Sequence, residues 1–201
     1  MGEVKKARKI NKRDRQTKEE LARQLMSLML KKSVDNIRIA EIVEPLGYSR
    51  QTFYHHFQDK YDLVDWIYRN QIMNFMTLIG EDYPWIQAVI AKNEIIYKNQ
   101  SFFKKACQEE RFIESFTEIT KRLYFDEVRK NTTPEEFEEV RFSVEFYAMA
   151  CVKKTAEWAI TGCKTEPDKL AVDFLICLPE NVRRCLLTEK DWDFIRDHNL
   201  A

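Results

Sequence analysis

The chain has 201 residues, and its 33 Lys and Arg residues balance 33 Asp and Glu residues. This length suits one small module and one larger domain, and a hydrophobic content of 44% is enough to form a core. No apolar run reaches the roughly 20 residues of a membrane-spanning helix, and no apolar stretch follows the basic N-terminus as in a signal peptide. We therefore expect a cytoplasmic protein that has no membrane partner.

The neutral total conceals an uneven distribution of charge. Residues 1–60 hold 14 basic against 8 acidic residues, whereas the remainder holds 19 against 25. A basic module joined to an acidic body is typical of a protein that approaches DNA phosphates. We expect residues 1–16, the most basic part, to be a flexible arm. Such an arm either lies in a minor groove beside the module or serves only as a solubilising tail.

A helix is predicted to begin at Thr17, because Thr17 and Glu20 have the spacing of a capping box. Its apolar stripe has helical spacing and comprises Leu21, Leu25, Leu28 and Met29. A second, short helix is indicated within residues 38–46 by apolar residues three and four apart, namely Ile39, Ile42, Val43 and Leu46. Together these segments predict two helices that precede a turn.

Gly47 and Ser49 predict a sharp turn into a third helix. Glycine adopts the left-handed backbone that ends a helix, and the serine hydroxyl can cap the next one. Two short helices joined in this way form a helix-turn-helix. After it, Asp59 is placed to cap a long helix that continues towards Gly80.

The helix after Ser49 has an apolar and a polar side. Phe53 and Phe57 are four residues apart and are expected to face inward. The remaining surface carries Arg50, Gln51, Thr52, Tyr54, His55 and His56. Arg and Gln match base edges in the major groove, whereas Thr, Tyr, His and Lys suit phosphate oxygens. This surface therefore predicts DNA recognition.

Residues 17–66 resemble the DNA-binding domain of the TetR/AcrR family of bacterial transcription regulators. The similarity is carried by Ile42, Gly47-Tyr48-Ser49, Thr52-Phe53-Tyr54, His56-Phe57 and Lys60. It implies phosphate contacts from Thr52, Tyr54, His56 and Lys60 and base contacts from Arg50 and Gln51. Arg38, Ser49 and His55 complete the predicted DNA-binding set. The segment is similar in particular to a branch that includes activators of dihydroxyacetone kinase operons.

Three residues depart from the family pattern. Arg38 stands where the family usually has a capping Thr, Val43 stands where it favours Ala, and Pro45 lies close to the turn. Proline removes a backbone N–H and kinks a helix. We therefore expect the helix within residues 38–46 to be short or distorted.

The rest of the chain also predicts helices, so the expected fold is all-α. It comprises a DNA-binding domain at 17–62 and a helical domain for effector binding and dimerisation at 63–201. The predicted starts and ends are Pro84 to Asn99, a short helix capped by Ser101, Phe112 to Arg129, Thr133 to Gly162, and Pro167 to Leu187 with a kink at Pro179. A short terminal turn is expected to follow.

The last two long helices are the predicted homodimer interface. The residues proposed for it are small, aromatic or aliphatic: Tyr147, Ala148, Cys151, Thr155, Trp158, Ala159, Ala171, Phe174, Leu175, Leu178 and Val182. A two-fold dimer matches a pseudo-palindromic operator with half-sites about 34 Å apart, or a multiple of it. The alternative is that these residues form the core of a single chain.

The family resemblance also implies an effector pocket in the helical domain. Its candidate lining residues are Trp85, Tyr97, Phe116, Phe146, Tyr147 and Trp158. Aromatic residues at helical spacing also serve as core, so both interpretations stay open. The signal could come from a small molecule or from a partner protein, and the residues do not distinguish repression from activation.

The residue types argue against an enzyme, a metal site and a cofactor. There are three histidines, no Gly-rich phosphate loop and no nucleophile elbow. The five cysteines include no Cys-x-x-Cys pair, which favours reduced, buried thiols; Cys151 and Cys185 as redox sensors are the alternative. The rival to a DNA-binding regulator is a helical protein-interaction adaptor.

Overall fold

Helices form the regular secondary structure of the computed structural model, which describes residues 12–70, 79 and 83–200. These residues contain no β-strand, so the predicted all-α class is confirmed. The chain divides into two compact units, one that ends at Leu63 and one that begins at Val64.

The first unit contains three helices and the start of a fourth: α1 (Lys12–Met29), α2 (Ile39–Val43), α3 (Arg50–His56) and α4 (Lys60–Tyr68). Helix α2 packs against both α1 and α3. The core between them is apolar and includes Leu21, Leu25, Ile42 and Phe53, each of which is fully buried. Burial of this face holds the three helices together, and it is needed most by α2 and α3, which have five and seven residues and are too short to be stable alone.

Helix α1 begins five residues earlier than predicted. Thr17 lies inside the helix, where its hydroxyl donates to the Arg13 carbonyl at 3.0 Å. Glu20 does not complete a capping box but accepts a hydrogen bond from the Tyr48 hydroxyl at 2.6 Å. The prediction of a flexible arm is also wrong for residues 12–16, because these residues are helical. Its residues 1–11 lie outside the described part.

The expected shortening of the second helix is confirmed. Helix α2 ends at Val43, and a 3-10 turn that contains Pro45 occupies Glu44–Leu46. Asp59 caps α4 as predicted, because its carboxylate accepts from the backbone N–H groups of Tyr61 and Asp62 at 2.8 Å. The predicted continuation of this helix towards Gly80 falls largely on residues 71–78 and 80, outside the described part.

The second unit contributes seven further helices in its described residues. They are α5 (Trp85–Lys98), α6 (Gln100–Ala106), α7 (Glu110–Lys130), α8 (Pro134–Ile160), α9 (Pro167–Ile176), α10 (Glu180–Leu186) and α11 (Glu189–Asp197). Helix α8 packs against α7 and α6, and α5 packs against α9. Helix α10 contacts both α7 and α8.

The predicted capping box at Thr133 is confirmed at the start of α8. The Thr133 hydroxyl accepts from the Glu136 N–H at 3.2 Å, and the Glu136 carboxylate accepts from the Thr133 N–H at 2.8 Å. Ser101, in contrast, lies inside α6, whose N-cap is Asn99. Pro179 separates two helices instead of kinking one, because it is the N-cap of α10.

A nine-residue helix, α11, occupies the place of the predicted terminal turn. Thr188 and Asp191 form a capping box at its start. The two Asp191 carboxylate oxygens also accept from the backbone N–H groups of Trp85 at 3.0 Å and Ile86 at 2.9 Å. One buried carboxylate therefore accepts hydrogen bonds at the N-termini of both α11 and α5, where the helix dipole favours negative charge.

None of the helices that the structure describes is long and apolar enough to cross a membrane.

Candidate nucleic-acid interface and internal cavity

The turn before α3 is built from backbone hydrogen bonds and a left-handed glycine. Gly47 has φ 71° and ψ 19°. The Tyr48 N–H donates to the Val43 carbonyl at 3.0 Å, and the Gly47 N–H donates to the Glu44 carbonyl at 3.1 Å. This pair of bonds is a Schellman motif, which satisfies the last carbonyls of the preceding turn. A side chain at position 47 would strain the backbone even though the space around it is open.

Ser49 caps α3 as predicted. Its backbone is extended, and its hydroxyl oxygen accepts from the Thr52 N–H at 3.1 Å. The Thr52 hydroxyl lies 3.0 Å from the same oxygen. Both hydroxyls are thus held at the N-terminus of α3, where uncapped N–H groups favour an anion such as phosphate.

The outward face of α3 carries the residues predicted to read bases. Arg50, Gln51, Tyr54 and His55 are exposed, with 57% of Tyr54 accessible, whereas Thr52 and His56 are half-buried. The prediction that Phe53 and Phe57 face inward is confirmed, since both are buried with ring centroids 5.8 Å apart. The exposed positions follow the spacing i, i+1, i+4 and i+5, so they form one surface that can face a groove.

His56 is tied to α1 through Asp14. Its Nδ1 atom lies 3.1 Å from an Asp14 carboxylate oxygen. Burial lowers the pKa of His56, and the Asp14 charge opposes this in part. The neutral ring that donates from Nδ1 offers only an acceptor at Nε2. Donation from His56 to a phosphate therefore requires a second proton on the ring.

Asp14, His55 and His56 also bring one donor atom each to within 4.8 Å of one another. Imidazole nitrogens and a carboxylate oxygen are suitable ligands for zinc. The sequence suggested no metal site. Among the described residues, this group has donor atoms of suitable type that lie close enough together to hold an ion.

Lys60 and Arg38 differ in how far they are available to DNA. The Lys60 ammonium donates to the backbone carbonyls of Asp35 at 2.7 Å and Ile37 at 3.1 Å, so two of its three protons hold the loop before α2. The Arg38 side chain is 82% exposed, with Nε 3.5 Å from a Glu41 oxygen. Glu41 accepts from the Arg38 backbone N–H at 2.9 Å and thus supplies half of a capping box.

The predicted pocket residues are distributed over different environments. Trp85, Phe116, Tyr147 and Trp158 are buried, and Tyr97 is half-buried. The Tyr147 hydroxyl donates to the Phe174 carbonyl at 2.7 Å, and the Trp158 indole N–H donates to the Thr165 carbonyl at 2.9 Å. The polar groups of Tyr147 and Trp158 are therefore used in the core.

Phe146 is 64% exposed, so its prediction as a lining residue of an internal pocket is wrong. The sequence could not reveal this because α8 is apolar around much of its circumference. Which side faces the core depends on the helices packed against it.

An internal cavity lies in the second unit between α4, α5, α7 and α8. Of the predicted pocket residues, only Phe116 lines it. The lining comprises Tyr68, Lys92, Phe116, Thr120, Leu123, Tyr124, Cys151, Val152 and Thr155. Sequence reasoning missed Lys92, although a signal existed: Lys92 lies three residues after Val89 and four before Ile96, on the buried face of α5.

Two family comparisons cover the two units. Residues 22–67 match the family described as bacterial regulatory proteins, tetR family. Residues 84–178 match a transcriptional regulator C-terminal region of the TetR type.

The chain belongs to the TetR family.

Two known proteins are similar to this TetR-family chain. The HTH-type dhaKLM operon transcriptional activator DhaS of Lactococcus lactis subsp. lactis (strain IL1403) is 24% identical over 155 residues, which span 75% of this chain and 83% of that protein. The solved structure of a dihydroxyacetone kinase operon activator DhaS covers 81% of this chain and is itself covered to 93%, with 24% identity and a TM-score of 0.62. The family makes this chain a transcriptional regulator and not an enzyme.

The TetR-family regulator has its predicted interface residues in the core. The predicted residues of α8, α9 and α10 are all buried within one chain, including Ala148, Thr155 and Val182 at 0% exposure. The alternative interpretation, an intramolecular core, is correct for them. The opposite side of α8 instead exposes Phe142 at 77% and Phe146 at 64%, with their rings stacked 6.3 Å apart.

The cysteines of the regulator are free. Cys107, Cys151 and Cys163 are buried as expected, whereas Cys177 is exposed and Cys185 is half-buried. Burial raises the pKa of the Cys151 thiol to about 11. A thiol that stays protonated is a poor nucleophile, which argues against Cys151 as a redox sensor.

Proposed function

We propose that this protein is a sequence-specific DNA-binding regulator that places α3 in the major groove of a pseudo-palindromic operator. The observation that carries this proposal is the outward face of α3, where Arg50, Gln51, Tyr54 and His55 are exposed together beside a capped N-terminus. Arg and Gln are the side chains best matched to guanine and adenine edges. Such a protein acts in the cytoplasm, where the bacterial chromosome lies.

The DNA contacts divide into two roles. Arg50 and Gln51 read bases. Thr52, Tyr54 and the capping Ser49 contact phosphates near the helix N-terminus. Lys60 contributes mainly by holding the loop of Asp35 and Ile37, because two of its protons are already used there.

The regulator binds DNA as a homodimer through the exposed side of α8. Phe142, Phe146 and Met149 follow the spacing i, i+4 and i+7, and Ile176 at the end of α9 is another exposed large apolar residue. A surface with several large exposed apolar residues is typical of a protein interface. A two-fold dimer matches the symmetry of a palindromic operator.

Sedimentation velocity of the wild type and Phe146→Asp tests this dimer. We expect the wild type to sediment as a dimer at micromolar concentration and the variant as a monomer. Lys104→Asp, an exposed change on α6 and outside the proposed interface, is the control for added negative charge and should stay dimeric. A wild type that is monomeric, or a dimer that is unaffected by Phe146→Asp, would contradict this interface.

DNA affinity is controlled by a ligand in the cavity of the second unit or by a partner protein. The cavity supports the first option because it is lined by polar groups as well as apolar ones. The named relative is an activator of a dhaKLM operon. By analogy, we include an operon for dihydroxyacetone phosphorylation among the expected targets.

Footprinting of the purified protein on genomic DNA tests the function as a whole. The expected result is protection of a few sites that share an inverted repeat. If no site is protected while the protein is folded, the adaptor alternative is favoured, in which the helix-turn-helix contacts protein.

A further inference from the structure

Lys92 is a buried ammonium group in an unusual environment. It lies near the middle of α5 with 7% of its surface exposed. Its hydrogen bond goes to the Thr155 hydroxyl at 3.4 Å, which is long, and its Nζ atom lies 5.2 Å from the centroid of the Phe174 ring. Among the residues that the structure describes, no carboxylate pairs with it. A buried charge without a counter-ion is unfavourable, so an anion at this position would be stabilised.

Two hydroxyl groups in the same cavity have unused hydrogen-bonding capacity. The Tyr68 and Thr120 hydroxyls are buried and, apart from their interaction with each other, have no hydrogen-bond partner among the described atoms. Both residues line the cavity beside Lys92. Each hydroxyl can donate a proton, and buried polar groups normally have partners. The cavity thus combines an ammonium with two O–H groups that have unused hydrogen-bonding capacity, which together suit a ligand that accepts hydrogen bonds.

The lining excludes several ligand classes. It contains no Asp or Glu, and burial keeps the Cys151 thiol protonated, so a cation would find no negative partner. A phosphate monoester carries about 1.5 to 2 negative charges at neutral pH, and a single ammonium would leave part of that charge unbalanced. A monocarboxylate carries one charge and two acceptor oxygens. Phe116 and Val152 provide an apolar wall for its carbon chain.

Leu123 is placed to admit such a ligand. It is the one half-exposed residue of the lining, whereas the others are buried. It also lines a surface groove of about 390 Å³ together with residues of α7 and Arg69. The cavity itself has about 10 Å³ of space for a water centre, which corresponds to about one water molecule. Movement of the Leu123 side chain would join the cavity to the groove and enlarge it.

We propose that this cavity binds a small monocarboxylate, with its oxygens paired to the Lys92 ammonium and accepting from the Tyr68 and Thr120 hydroxyls. The inference rests on the proposed function, because the ligand would be the effector that alters DNA affinity. Tyr68 is the last residue of α4, the helix that begins at Lys60 in the DNA-binding unit. A ligand held by Tyr68 therefore acts on a helix shared by both units.

The proposal is tested by calorimetric titration of the full-length protein with acetate, propionate, butyrate and hexanoate. Sodium concentration is held constant, and chloride and inorganic phosphate are titrated for comparison. We expect saturable binding of at least one carboxylate and none of chloride. Lys92→Met should weaken it about ten- to hundredfold, the range for a hydrogen-bonded charge. Lys98→Met, on the exposed side of the same helix, is the matched control and should bind like the wild type.

Tyr68→Phe and Thr120→Val provide a second test that leaves the Lys92 charge in place. Each should weaken carboxylate binding several-fold while the protein stays folded. If no carboxylate binds, if phosphate binds more tightly, or if Lys92→Met binds as well as the wild type, the inference is overturned.

Gel-shift assays on the footprinted operator separate this inference from the proposed function. Intact operator binding without any carboxylate binding overturns the ligand assignment alone. Carboxylate binding in a protein that recognises no operator supports the site and contradicts the proposed regulator.

Discussion

Replacement of Lys92 by methionine is expected to stabilise the folded protein at neutral pH. Methionine is unbranched and of similar length, so it can fill the space of the lysine side chain. Burial lowers the pKa of Lys92 from 10.5 to about 8. One pKa unit corresponds to about 1.4 kcal/mol, so the charged lysine destabilises the fold by about 3 kcal/mol at pH 7. Loss of the Thr155 and Phe174 contacts offsets part of this, which leaves a net gain of about 1–3 kcal/mol.

The pH dependence of this gain follows from the direction of the shift. Below pH 8 both the folded and the unfolded wild type carry the proton on Lys92, so the penalty is present in full. Between pH 8 and 10.5 the unfolded chain holds the proton more tightly than the folded protein does, and the stability of the wild type therefore rises relative to the variant. The difference between the two proteins should become small above pH 10.5.

Urea denaturation of both proteins at pH 7, 8, 9 and 10, at one protein concentration, measures this difference. Subtraction removes the titration of the other groups, such as the tyrosines and cysteines whose pKa values are raised by burial. Lys98→Met should change the free energy of unfolding by less than about 0.5 kcal/mol, as is usual for exposed sites. A Lys92→Met variant that is less stable than the wild type at pH 7, or a difference that does not depend on pH, would refute the reasoning.

Two further predictions concern the DNA-binding unit. Ser49→Ala removes the cap of α3, so it should lower the free energy of unfolding in urea by about 0.5–2 kcal/mol and weaken operator binding. Ser101→Ala, in the exposed first turn of α6, is the control and should leave the free energy of unfolding unchanged. Operator affinity should increase as the pH falls from 8 to 6, as measured by fluorescence anisotropy at constant ionic strength. The reason is that His56 must gain a proton before it can donate to a phosphate, and burial keeps the pKa of His56 low in the free protein. His56→Gln should make this profile flat, and an unchanged profile would show that His56 is not the group that titrates.

Local interactions are the features that the sequence predicted well. The left-handed Gly47, the Ser49 cap, the Asp59 cap and the Thr133 capping box each depend on residues within five positions of one another. Their physical cause lies within the segment itself. The early start of α1 shows the limit. Lys12, Arg13, Arg15 and Gln16 are good helix formers, Asp14 lies in the first turn where negative charge is favourable, and Arg15 pairs with Glu19 at 2.9 Å. Together these effects outweigh the capping preference of Thr17.

Features that depend on distant partners were not predicted. Asp191 serves α5 from more than 100 positions away, and nothing near Trp85 indicates it. The exposed side of α8 carries Phe142 and Phe146 while its other side carries Tyr147, so composition alone could not tell the interface from the core. Lys92 was overlooked because lysine is rarely buried. Its position on the apolar face of α5 was the evidence against that assumption.

The central claim, that α3 reads DNA sequence, is tested most directly by comparison of wild type and Arg50→Ala on the footprinted operator and on a shuffled duplex between 50 and 200 mM salt. We predict that the wild type prefers the operator and that its affinity falls steeply with salt. Arg50→Ala should lose about 1–3 kcal/mol of that preference and change the salt slope little, because Arg50 contacts bases and not phosphates. Equal binding of both duplexes by the wild type, or an unchanged preference in Arg50→Ala, would contradict the account.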